Sequence, residues 1–271
     1  MAPQIEAGGF GGETSLATEV VRVQAAARQE PAKAAHRSAL AQLHCIAGAW
    51  DKASRQLAVL ADLDPEAQLF CTQGRLLLAC EAERAEVLGG RSAPSCLGEP
   101  PEWMALLTEA LRLDGAGEHA PGKELRDQAF ALATATAGQV DGTPFTWIAD
   151  ADERLGPVLE ASINGRYLWI PFERLRRIAS GGPKDLKDLV WLPATLTLAN
   201  EGEVAAFVPT RYPGSEAVED DAVRLARRTE WRQLDGGSWV GLGQRMLTSD
   251  AGDHPLLDIR TIELRPASVD G

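Results

Sequence analysis

No stretch of this 271-residue chain approaches the ~18 consecutive apolar residues that a membrane-spanning helix requires. The N-terminus lacks a basic region followed by an apolar one, so no secretory leader is expected. No C-x-x-C pair occurs: Cys45, Cys71, Cys80 and Cys96 are widely spaced, and no histidine stands at zinc-finger distance from them. These absences argue against a membrane-spanning protein and a zinc module, and the expected location is the cytoplasm. Cys45, Cys71 and Cys80 fall in apolar helical stretches and read as small buried thiols. An excess of base is missing as well. With 39 acids against 27 bases the net charge is −12, a surface that neither nucleic acid nor anionic lipid attracts.

Signatures of catalysis are equally scarce. There is no EF-hand-like D-x-D-x-D-G, no G-x-S-x-G elbow and no Cys-His signature. Gly241-Leu242-Gly243 is a lone G-x-G inside a strand-like run, without the third glycine and following helix of a dinucleotide site, and reads as backbone packing. No cofactor and no metal are expected.

What is present is ordinary globular material, 45% hydrophobic and 24% charged, long enough for one large domain or two modest ones. Residues 1–14 are Gly-rich and read as a flexible tail. Helical character starts near Ser15. Leu40, Gly48, Trp50, Ala53, Leu57 and Pro65 follow the small-and-large pattern of a tetratricopeptide-type helix hairpin, and a step of 34 residues back from Pro65 reaches Pro31, the period of that repeat class. Leu69 to Glu86 continues as a helix. Pro101 suits a first helical position, and Trp103, Leu106, Leu107, Ala110 and Leu111 trace an i, i+3, i+4, i+7 stripe. A further helix covers about 122–134. A stack this short leaves an open end, so the second half is expected to close it.

That second half is rich in strand signals. Leu155 to Ile163 and Arg166 to Ile170 flank Asn164-Gly165, the pair that a type I′ hairpin turn requires. Val190 to Leu198, Val204 to Pro209, Ser238 to Thr248 and Leu256 to Leu264 read as further strands. Ser215 to Arg228, with acids first and bases last, reads as an inserted helix. The expected fold class is therefore α+β. A tetratricopeptide-like helical stack over 15–135 packs against a mainly antiparallel β module with inserted helices over 145–265.

Two sets of side chains stand out as candidate sites. Asp150, Asp152 and Glu153 form an acidic cluster beside Arg154. Clustered carboxylates can hold a cation or divide acid and base roles, but they also cap and solubilise, pairing with Arg154 and Arg166. His254, among Asp250, Asp253 and Asp258, completes the alternative of a hydrolase or metal-dependent enzyme. Arg211, Arg227, Arg228 and Arg232, close to Tyr212 and Trp231, offer guanidinium forks beside aromatic rings, a combination that holds carboxylates or peptide backbone. Trp50 and Trp103 read as core, and some of Trp147, Trp169, Trp191, Trp231 and Trp239 as interface anchors.

The blocks WIADAD, RLGPVLEA, NGRY, WIPFERL, DLVWLPA, PTRYPGSE, RRTEW, GLGQRML and DAGDHPLLDIR, in this order, resemble the ImpE/TagJ family, accessory proteins of type VI secretion also known as SciE-type virulence proteins. The resemblance spans roughly residues 40–264. It implies a non-catalytic adaptor that binds the N-terminal helix of the small subunit of the contractile sheath and links contracted sheath to the ClpV AAA+ unfoldase. Trp147, Asp150, Asp152, Arg154, Arg166, Arg211, Tyr212, Arg227 and Trp231 all lie in matching blocks and are the expected partner-binding residues.

Overall fold

The structure, a computed structural model, describes residues 15–265. The tail expected at 1–14 lies outside them. Helices come first: α1 (Leu16–Gln29), α2 (Ala34–Ile46), α3 (Trp50–Leu63), α4 (Gln68–Leu88), α5 (Glu102–Gly115) and α6 (His119–Leu132). Their ends follow local chemistry. Ser15 caps α1, its hydroxyl accepting from the Thr18 amide at 3.1 Å. Gly48 turns the chain between α2 and α3 at φ +66°, where a Cβ would also strike the Glu216 side chain. Asp64 accepts from the Glu66 amide and Pro65 opens a single 3-10 turn before α4. In α3, Ala53, Leu57 and Leu60 recur at i, i+4, i+7 and all are buried.

The strands follow: β1 (Ala137–Val140), β2 (Thr143–Phe145), β3 (Ile148–Asp150), β4 (Val158–Ile163), β5 (Arg166–Pro171), β6 (Leu175–Ala179), β7 (Trp191–Leu198) and β8 (Glu203–Pro209). After the short helix α7 (Asp221–Arg224) come β9 (Thr229–Gln233), β10 (Trp239–Gly243), β11 (Met246–Ser249), β12 (Gly252–Pro255) and β13 (Thr261–Arg265). Eight of them form one antiparallel sheet in the order β2-β1-β13-β6-β7-β8-β4-β5. β12-β11-β3 form a second sheet and β10-β9 a hairpin. The chain is thus α+β, helices first and antiparallel sheets after. The β4–β5 hairpin turns at Asn164 and Gly165, φ 51° and 75°, with Ile163 opposite Arg166, the geometry of a type I′ turn.

Helices and sheets share their cores. Leu186, Leu189, Val190 and Trp191 pack with Leu16, Leu40, Leu43 and Ile46, so the 3-10 turn before β7 closes one side of the helical stack. Trp191 also donates from Nε1 to Glu81 of α4 at 2.8 Å. On the other side, Tyr167, Trp169 and Val158 pack against Cys80, Val87, Trp103 and Leu107. Cys45, Cys71 and Cys80 are buried free thiols, and burial pushes Cys45 up to about 12.

The structure departs from several sequence expectations. Pro101 is the cap of α5 and Glu102 its first residue. Between the expected helical stack and β module, Ala137–Val140 is β1, which the large sheet captures beside β13. Ser215 to Arg228 is a 3-10 turn followed by the four-residue α7. The backbone goes extended at Val218, Asp220 takes the cap, and Ala226 ends the helix at φ 53°. Ser238 to Thr248 is two strands, because Gly243 at φ +85° breaks the run and β10 and β11 join different sheets. The stretch Leu256 to Leu264, read as a further strand, becomes strand only from Thr261.

Candidate functional site

β3 ends in Asp150, and the following turn is built by its own carboxylates. The Asp152 amide donates to Asp150 Oδ1 at 2.9 Å, and the Arg154 amide to Asp152 Oδ1 at 2.9 Å. Gly156, at φ +52°, lets the chain turn back closely against the Phe130 ring. Arg154 folds over Asp152 with Nε and Nη2 at 2.9 and 2.5 Å, and the Gly241 amide donates to Asp152 Oδ2 at 2.8 Å. The acidic cluster thereby joins β3 to the β9–β10 hairpin.

Behind it lies a chain of buried charges. Arg245 donates to Asp150 Oδ2 at 3.0 Å and, with its other prong, to Glu160 of β4. Glu160 also accepts from Arg84 of α4, Nε to Oε1 at 2.8 Å and Nη2 to Oε2 at 3.0 Å, and from the Tyr167 hydroxyl. Trp169 Nε1 donates to that hydroxyl at 2.8 Å. Tyr212 donates to Asp150 Oδ1 at 2.9 Å and accepts from the Met246 amide at 2.9 Å. Its ring meets Trp231 at 5.7 Å between centroids and lies 5.7 Å from the Arg245 guanidinium carbon.

The carboxylates divide in charge affinity. Burial raises the Glu160 pKa, but Arg84 and Arg245 outweigh it and hold the group well below the usual carboxylate range. For Asp150, burial dominates. Arg245 opposes it, the Asp152 charge adds to it, and the carboxyl is pushed up to about 7. The two differ because Arg245 is shared while Glu160 has Arg84 as well. Tyr212 is raised, chiefly by burial and then by Asp150.

In front of the network an apolar groove of about 360 Å³ opens between α6 and β3. Phe130, Ala133, Trp147, Ile148 and Pro157 form much of its wall, and buried Asp150 and half-buried Glu153 also line it.

The nine sequence-selected residues therefore fall into distinct places. Asp150, Asp152 and Tyr212 are buried and bonded together, Arg154 is half-buried on Asp152, and Trp231, 39% exposed, packs on Tyr212. Trp147, 38% exposed, stands on the groove. Arg211 is buried elsewhere, donating to the carbonyls of Cys45, Ile46 and Arg224 and so capping the end of α2. Burial brings its pKa down to about 10. Arg166 is exposed at the β4–β5 turn, and Arg227 is exposed just after α7.

His254 does not join the acids. Its Nε2 meets Ser249 Oγ at 2.9 Å. In register, His254 and Asp150 flank Leu247 from opposite sides, two strand spacings or about 10 Å apart. Glu160, Arg245, Arg84 and Tyr167 were not singled out from the sequence. Their signal was there: Glu160 interrupts the buried strand VLEASI, and Arg84 follows Leu77 and Cys80 on the apolar phase of α4. Among the described residues, no group of three or more His, Cys, Asp or Glu is placed to hold a metal ion, and no helix is long and apolar enough to cross a membrane.

The family model described as ImpE protein matches residues 142–263. The type VI secretion system accessory component TagJ of Pseudomonas aeruginosa is 45% identical over 247 residues, 91% of this chain and 86% of that one. The chain belongs to the ImpE/TagJ family. Protein VPA1032 from Vibrio parahaemolyticus, solved by X-ray crystallography, aligns with a TM-score of 0.84 over 93% of this chain and 95% of that one. At 24% identity that likeness concerns the fold. The ImpE match contains Asp150, Asp152, Glu160, Tyr212 and Arg245, but α4 and its Arg84 lie outside it.

Proposed function

We propose that the chain is a non-catalytic adaptor of type VI secretion that works in the cytoplasm by gripping another polypeptide. The partner is the N-terminal helix of the small sheath subunit, and the complex links contracted sheath to the ClpV unfoldase. Kinship with a type VI secretion accessory component supports the setting. The tetratricopeptide-like hairpin read over Leu40 to Pro65 supports the mode, since short helical stacks hold peptides against their faces.

One observation carries the reading: the buried acids of the site are saturated by arginines of the same chain, and what faces outward is an apolar groove with an exposed tryptophan. The oxygens of Asp150 and Asp152 already accept bonds from groups of this chain, whereas an apolar groove with an aromatic wall suits a side-chain anchor. In this arrangement Trp147 and Trp231 are aromatic anchors and Arg166 and Arg227 are outlying contacts. Asp150, Asp152, Arg154 and Tyr212 hold the surface in shape from beneath, and Arg211 secures the end of α2.

The test is a pull-down with the cognate small sheath subunit, full length and lacking its first ~20 residues, a length that forms a helix of several turns. Capture of the full-length form alone is expected. Equal capture of both forms, or of neither, defeats the reading.

A further inference from the structure

The geometry points to the groove between α6 and β3 as the seat of an amphipathic helix that carries a lysine or arginine beside its apolar stripe, the cation pairing with Glu153. This rests on the adaptor reading and adds to it the docking surface and the charge the partner must bring.

Glu153 differs from the other carboxylates of the site. Asp150, Asp152 and Glu160 each meet an arginine. The Glu153 carboxylate has neither a hydrogen bond nor an ion pair among the described residues, although the residue is half-buried and lines the groove. Its position is fixed, because its amide donates to the Trp239 carbonyl at 3.1 Å. The nearest cation in sequence, Arg154, is occupied by both oxygens of Asp152. A half-buried carboxylate beside apolar walls attracts an incoming cation more strongly than a fully solvated one, since solvent screens it less.

The surroundings specify the rest of the ligand. The wall offers Phe130, Ala133, Trp147, Ile148 and Pro157, and Leu132 and Trp239 are exposed at 63% and 45% on the elements beside it. Apolar side chains on one side and a cation at the edge describe one face of an amphipathic helix. An added strand suits the site less well. β3 is an edge strand of three residues, and the outward amide of Asp150 already donates to the Gly156 carbonyl at 2.6 Å. An extended peptide would find only the Ile148 amide as a ladder donor on β3.

The test uses the full-length chain and, as probe, a fluorescent synthetic peptide of the first ~20 residues of the cognate small sheath subunit. Anisotropy titrations compare wild type with Glu153→Gln, Glu153→Lys and Trp147→Ala. Leu69→Ser on the exposed side of α4 serves as control. Glu153→Gln should weaken binding about threefold to tenfold, and the other two groove variants about tenfold or more, with thermal unfolding and the control unchanged. A peptide with one of its lysines or arginines changed to glutamate should regain affinity for the Glu153→Lys protein. Wild-type affinity in all three groove variants overturns the groove and leaves the adaptor reading standing. No binding of the peptide to wild type, with the full-length subunit also uncaptured, overturns both.

Discussion

Arg84 and Glu160, 76 positions apart, meet as a two-pronged ion pair in the interior, the guanidinium from α4 and the carboxylate from β4. Neither is near water: the side chains are 6% and 0% exposed. Removing one partner of such a pair leaves a buried charge uncompensated. Arg84→Met should cost about 3–5 kcal/mol in urea unfolding. The double variant Arg84→Met with Glu160→Leu should cost clearly less than the two single changes summed. Additive losses would show that the two groups do not depend on each other.

Asp150 sets a pH dependence of definite sign. Its folded pKa is raised from an ordinary 3.8 to about 7, so its contribution to stability is full below the unfolded value and is lost as pH rises through about 7. Glu160 is lowered and behaves oppositely, its contribution being lost as pH falls through its depressed folded value. Asp150→Asn keeps an acceptor for Tyr212 but removes the titration. Between about pH 5.5 and about pH 8.5 the melting temperature of wild type should therefore fall relative to that of the variant. Parallel curves would rule this out.

Gly241 packs directly against the Tyr212 ring, and a Cβ there would run into it. The ring cannot yield, being buried and bonded through its hydroxyl to Asp150 and Met246. Gly241→Ala should destabilise by about 1–3 kcal/mol, an overpacking cost, read by thermal unfolding. A wild-type melting temperature would mean the hairpin floats free of Tyr212.

Arg211 ends α2 by donating to the carbonyls of Cys45 and Ile46 while also reaching Arg224. A lysine carries the charge but not the planar fork. Arg211→Lys should lose about 1–3 kcal/mol, with faster hydrogen exchange in the last turn of α2. Exchange unchanged in that turn would contradict the capping role.

How much of this could be read in advance depended on whether the signal was local. The apolar stripes of α3 and α5 and the Asn164-Gly165 turn were legible because period and turn chemistry act within a few residues. β1 was not, since Ala-Gly-Gln-Val, with one strand-favouring residue in four, becomes a strand beside β13. The acidic cluster was visible at Asp150 and Asp152, but its partners Arg245 and Glu160 come from 95 and 10 positions beyond Asp150, and nothing in local spacing joins them. Ser215 opens the stretch read as an inserted helix, yet its hydroxyl donates to the Tyr212 carbonyl and accepts from the Gly243 amide.

Because the front of the chain supplies a guanidinium and the back supplies the buried carboxylate it neutralises, neither is a finished object alone. A cut between α6 and β1 would strip α4 and α5 from the indole of Trp169 and leave Glu160 with one cation fewer. The two pieces made together should find each other, and either made by itself should precipitate. A lineage exchanging its front helices for another set would have to bring along an arginine reaching the same carboxylate.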